Sequence, residues 1–155
     1  MDRVDLASLR AEMLADTTAF VSAIELASHR FGSGTGPELE SATFHLTRAY
    51  NALEQIALRI ARRFENHIDD DRSWHAELIR RMSLEIPGVR PRLFPLDLCE
   101  DIQELRSFRH VIVHAYDLTL RADKMKIVLN SARTVQEALP KAVEGFLSAL
   151  ESDLT

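Results

Sequence analysis

Apolar residues recur at helical spacing along most of the chain. Leu6, Leu9, Met13, Phe20, Ile24 and Ala27 fall three, four or seven residues apart, in a stretch from residue 2 to about 31 that holds neither proline nor glycine. That pattern predicts a first amphipathic helix. Gly32, Gly34 and Gly36 stop it, and Pro37 suits the first turn of a second helix, with Glu38 and Glu40 favourable at its positive end. The second helix carries the longest seam. Leu39, Ala42, Leu46, Ala49, Leu53, Ile56 and Ile60 alternate threes and fours before Phe64 and Ile68 shift the stripe, a pattern that usually faces another helix. A third helix fits residues 73 to 86, capped by Ser73 and presenting Trp74, Leu78 and Met82 on one face; Pro87, Gly88, Pro91 and Pro95 then make a loop. A fourth runs from about Leu96 to Tyr116. The fifth starts at Asp123 as N-cap and continues through Val128, Ala132, Val135, Leu139 and Phe146, bent or broken at Pro140. With no strand pattern, repeat or glycine-rich phosphate loop, the expected class is all-α, an antiparallel helical bundle of about five helices in one domain spanning residues 1 to 155.

Composition narrows the function. A chain of 155 residues can bury most of its apolar surface unaided, and Cys99, the sole cysteine, can build neither an intrachain disulfide nor a cysteine-rich zinc site. The N-terminal segment carries acids instead of a signal peptide's apolar core, and no apolar run reaches the roughly 20 residues of a membrane span. A cytoplasmic protein with no membrane partner is expected. The net charge of -5 disfavours a generic nucleic-acid binder, so any RNA contact must be local. Sixteen of the 19 basic residues are arginine, which suits bidentate phosphate recognition and equally a GC-rich coding sequence.

The stretch RHVIVHAYDL, residues 109 to 118, places ionisable groups in a run that otherwise reads as buried helix. Projected at 100° per residue, Leu98, Ile102, Leu105, Phe108 and Ile112 form the apolar face, and Gln103, Arg106, Ser107, His110 and His114 gather opposite. Arg109 falls about 40° from Leu105, inside the apolar arc, with His114 about 140° away from it around the axis. A guanidinium there must reach water, a carboxylate or a ligand phosphate; Asp101, Glu104 and Glu54 of the second helix are the available acids. His110 and His114 read either as surface histidines favoured by the helix dipole or as an i, i+4 pair able to face one ion. No third ligand stands at convincing spacing, and His67, Asp69, Asp70, Asp71 and His75 read as a solvated interhelical turn. No metal and no cofactor are therefore expected.

Arg109, four intervening residues, His114 and then Tyr116 give R-x4-H-x-Y, which resembles the signature of HEPN domains and, more narrowly, of HepT-type ribonuclease toxins. Arg62 and His67 repeat the R-x4-H spacing but lack the tyrosine and end the second helix instead of the fourth. AYNALEQIALRIARRFE resembles the family's long helix with its central glutamate, here Glu54, and the Leu139-Pro140 pair inside the last helix is similar too; the likeness spans roughly residues 37 to 150. It implies a HEPN-like bundle that dimerises with the motif at the interface, and metal-independent endoribonuclease activity in a toxin-antitoxin pair. In such a reaction the RNA 2′-hydroxyl is the nucleophile, His114 handles protons and Arg109 holds the non-bridging oxygens. The resemblance further implies auxiliary positive charge from His110 and Arg106, and a nucleotidyltransferase antitoxin that adds AMP to Tyr116. The 140° between Arg109 and His114 is met either by a helix that ends or distorts between them or by a composite site from two chains. A non-catalytic module that binds a partner or a nucleotide in the same groove is the alternative.

Overall fold

A computed structural model describes residues 1–65 and 74–153. Among these residues five α-helices carry the fold: α1 (Arg3–Phe31), α2 (Gly36–Ile60), α3 (Trp74–Met82), α4 (Cys99–His114) and α5 (Ala122–Ser152). The chain is all-α. The expected positions Ile68 and Ser73, and most of the acidic and histidine-rich turn, lie outside the described residues, as does His67 of the second R-x4-H spacing.

Capping explains the first two helix starts. Asp2 accepts from the Asp5 backbone N–H at 2.8 Å, and Asp5 reaches back toward the Asp2 amide, so two otherwise orphaned donors are satisfied. At the α1–α2 turn, Glu38 accepts from the Thr35 hydroxyl at 2.6 Å and from the Ser33 backbone N–H at 3.0 Å, which holds its carboxyl below the usual carboxylate range. Gly32 has a φ of +51°, and a Cβ there would fall 1.6 Å from a Glu38 carboxylate oxygen, so the turn needs glycine twice over.

The core lies between α1, α2, α4 and α5. Met13, Phe20 and Ile24 of α1, Leu46, Leu53 and Ile56 of α2, Ile102 of α4 and Leu139, Val143 and Leu147 of α5 are fully enclosed, in keeping with the expected seams. Ion pairs fix direction. Arg59 near the end of α2 meets Asp16 and Glu12 of α1, while Arg10 of α1 meets Glu144 and Glu151 of α5, so α1 runs antiparallel to both neighbours. Where Phe64 shifts the stripe, α2 widens into a π-helical turn, Ala61–Glu65, and Phe64 packs edge-on against Phe146 at 6.2 Å.

Several element ends differ from expectation. α3 stops at Met82, four residues early, because the guanidinium of Arg90 takes the carbonyls of Arg81 and Leu84. The same side chain pairs with Glu65 at 2.8 Å, and both are almost wholly buried. α4 begins with a 3-10 turn, Leu96–Leu98, and ends at His114, two residues short of Tyr116. For α5 the N-cap is Arg121, and Asp123 lies in the first turn, paired with Arg121 at 3.0 Å. Pro140 does not break that helix, which runs on to Ser152. No helix among the described residues is long and apolar enough to cross a membrane.

Candidate active site

α4 is anchored at one end and free at the other. Ile102 and Leu105 are buried, Phe108 and Ile112 only partly, and Val111 and Val113 are exposed. The start of α3 lies beside this freed end. Trp74, His75 and Ala76 face Arg106, Arg109, His110, Val113 and His114 across an open cleft of about 600 Å³. Thus all four ionisable residues that the sequence pattern singled out on α4 line one depression of one chain, and Tyr116 is not among its walls.

Arg109 reaches the cleft from the apolar side. Its Nε is buried with no hydrogen-bond partner, and its guanidinium carbon lies 5.7 Å from the centroid of the Tyr50 ring, a cation–π contact with α2. Among the described residues no carboxylate lies within ion-pairing reach of it. Asp101 and Glu104, expected as partners, make no such pair, and Glu54 is engaged elsewhere: its carboxylate accepts from His75 Nδ1 at 2.7 Å. Of the three ways to satisfy the charge, water, a neighbouring acid or a ligand, the described residues supply no acid, and the open cleft leaves the guanidinium to water or a ligand. The Tyr50 hydroxyl is pushed well above its ordinary pKa by burial and then by the nearby Glu54 charge, with Arg106 and Arg109 acting in the opposite sense. Tyr50 is therefore a neutral support behind Arg109, buried in the core.

Arg106 is held by its own helix. Its Nε donates to Gln103, whose amide in turn donates to the Ala76 carbonyl at 3.3 Å, and this link ties the start of α3 to α4. His110 and His114 are exposed, with ring centroids 4.4 Å apart and planes tilted by 51°. The helix neither ends nor breaks between Arg109 and His114, so their angular separation is not relieved by α4 itself. Both side chains nonetheless reach one cleft, since at this end the helix is open on much of its circumference. Ala115 turns extended, and beyond it Tyr116 is fully exposed.

The electrostatics follow. Among the described residues two guanidiniums and three imidazoles line the cleft and no carboxylate does, Glu54 standing behind His75, so the guanidiniums gather positive charge here in a chain of net charge -5. Such a surface suits a phosphate, with Arg109 and Arg106 as forked donors and the imidazoles as proton carriers.

The model of a family described as HepT-like protein matches residues 41–150. The chain belongs to the HepT-like family. This is a family of the HEPN type, in agreement with the resemblance carried by Arg109, His114 and Tyr116, and the match takes in α3, α4, the cleft and nearly all of α2 and α5. No curated protein and no solved structure is significantly similar to the chain.

Sequence reasoning did not read the pairing of two residues at the cleft, His75 and the Glu54 behind it. His75 was expected in a solvated turn, but its ring stacks on Trp74 with centroids 3.7 Å apart and is held by Glu54. Glu54 itself carried a signal: an acid four residues after Tyr50, on a helix whose neighbouring positions are apolar, must find a partner when the helix packs. Its side chain is only 8% exposed.

Proposed function

We propose that this HepT-like protein is a metal-independent endoribonuclease, the toxin of a pair with a nucleotidyltransferase antitoxin. The observation that carries the reading is the gathering of Arg109, which has no carboxylate partner among the described residues, and His114 in one positively charged cleft. Arg109 binds the non-bridging oxygens of the scissile phosphate and stabilises the charge that builds on them. His114 accepts the proton of the RNA 2′-hydroxyl, which attacks phosphorus to leave a 2′,3′-cyclic phosphate and a free 5′-hydroxyl. His110 and Arg106 add positive charge, and two copies pair through the exposed end of α4 so that the motif lies at the two-fold axis. Val111, Val113 and Leu118, apolar and exposed around the motif, support that pairing. Tyr116, fully accessible two residues beyond His114, is the acceptor of AMP; the added phosphate repels RNA from the cleft.

The test is incubation of the purified protein with RNA in EDTA. Cleavage with a cyclic phosphate product is expected, with a loss of about 100-fold or more in Arg109→Ala and in His114→Ala at nearly unchanged melting temperature. Loss of wild-type cleavage on chelation refutes the metal-independent scheme, and tight RNA binding without cleavage identifies a non-catalytic binding module instead.

A further inference from the structure

The cleft holds a histidine that the R-x4-H motif does not include. His75, on the first turn of α3, is one-third exposed and lines the same depression as Arg109 and His114. Its Nδ1 lies 2.7 Å from a carboxylate oxygen of Glu54, which is buried on α2. A carboxylate can only accept, so this bond places the proton on Nδ1 and leaves Nε2 as the nitrogen free to exchange protons. Trp74 stacked against the ring and the Gln103 bond to the Ala76 carbonyl hold the start of α3 against α4. A histidine one-third exposed at the start of a nine-residue helix thus has its ring orientation fixed by these contacts.

We infer that His75, oriented by Glu54, is the general acid of the cleft, donating from Nε2 to the 5′-oxygen as it leaves phosphorus. The inference rests on the ribonuclease reading and supplies its missing half. Cleavage by the 2′-hydroxyl needs one group to take a proton and another to give one: the 2′-O–P bond forms, the P–O5′ bond breaks, the 2′-hydroxyl proton passes to His114, and the 5′-oxygen receives a proton from His75. The division of labour follows from position. His75 and His114 stand on different helices on either side of the cleft, so one imidazole can serve the entering oxygen and the other the leaving one, and Glu54 leaves Nε2 of His75 free for that exchange. Glu54 is then a positioning residue, and His75 is a catalytic one.

A leaving-group substitution separates this role from a structural one. The probe is a single-stranded RNA carrying a bridging 5′-sulfur at one linkage that the wild-type protein cuts, because a thiolate leaves without protonation. His75→Gln is expected to cut the all-oxygen RNA about 100-fold more slowly than wild type and the 5′-sulfur linkage at nearly the wild-type rate. Glu54→Gln, which keeps an acceptor but removes the charge, is expected to show the same dependence with about a tenfold loss, and it provides a second readout should His75→Gln unfold. His114→Ala is expected to be slow on both substrates. Wild-type rates for His75→Gln on both, or equal slowing on both at an unchanged melting temperature, overturn the assignment. Failure of the wild-type protein to cut either RNA strikes the ribonuclease reading itself and is thereby told apart.

Discussion

At the scale of single residues, the chain places its buried charges in two ways that have opposite consequences. Arg90 is saturated: its guanidinium, with no exposed surface, meets Glu65 and the carbonyls of Arg81, Leu84 and Pro91. Arg109 keeps a buried Nε unpartnered among the described residues and is braced by the Tyr50 ring. The first arrangement is structural and the second is open to a ligand. Truncating Arg90 to alanine leaves the buried Glu65 carboxylate with Arg81 as its remaining cation and removes the donor to three carbonyls, so a loss of about 3 kcal/mol is expected in urea unfolding. The same substitution at Arg109 leaves no buried acid behind and is expected to cost far less. A stability of Arg90→Ala within about 1 kcal/mol of wild type contradicts this account of the loop. The sequence made Arg109, His110 and His114 legible because their spacing is a property of one helix. It left the Glu54–His75 pair unread, since that contact joins α2 to α3 and no local spacing encodes it.

At the scale of elements, hydrophobic period located the five helices, and competition for backbone groups set their ends. α3 stops early because Arg90 takes carbonyls that another turn would have used, and α4 stops at His114 because Ala115 adopts an extended backbone. Pro140 does not break α5, because the flanking Val135, Leu139 and Val143 are fully buried and hold the helix through a missing hydrogen bond. The α1–α2 turn offers a pH test of capping. The Thr35 hydroxyl and the Ser33 and Thr35 amides lower the folded-state pKa of Glu38 below its unfolded value. Its contribution is therefore complete above the unfolded pKa and disappears as pH falls through the folded one. Glu38→Gln is expected to lower the urea midpoint at pH 7, with the gap to wild type closing as pH is taken below the ordinary carboxylate range. A gap that persists unchanged at low pH shows that the side chain's shape, and not its charge, holds the turn.

At the scale of the whole molecule, the open question is how many chains make one site. Arg109 and His114 share a cleft within one chain, but they lie on different sides of a helix that stays regular between them, and His114 sits at the exposed margin. Around that margin Val111, Val113, Tyr116 and Leu118 expose apolar surface that a second copy can cover, and in the proposed composite site each chain's His114 would work with its partner's Arg109. Mixing two inactive variants distinguishes the arrangements. When Arg109→Ala and His114→Ala chains are unfolded together and refolded at equal concentration, half of the dimers are mixed. If each site takes Arg109 from one chain and His114 from the other, a mixed dimer holds one intact site and one doubly defective site, so about one quarter of wild-type activity is expected to return. If both residues act from the same chain, every site in every dimer lacks one of them and nothing returns. Light scattering on the same mixture checks that dimers form, so recovery of activity supports the composite site, while dimers without recovery place the whole reaction in the cleft of a single chain.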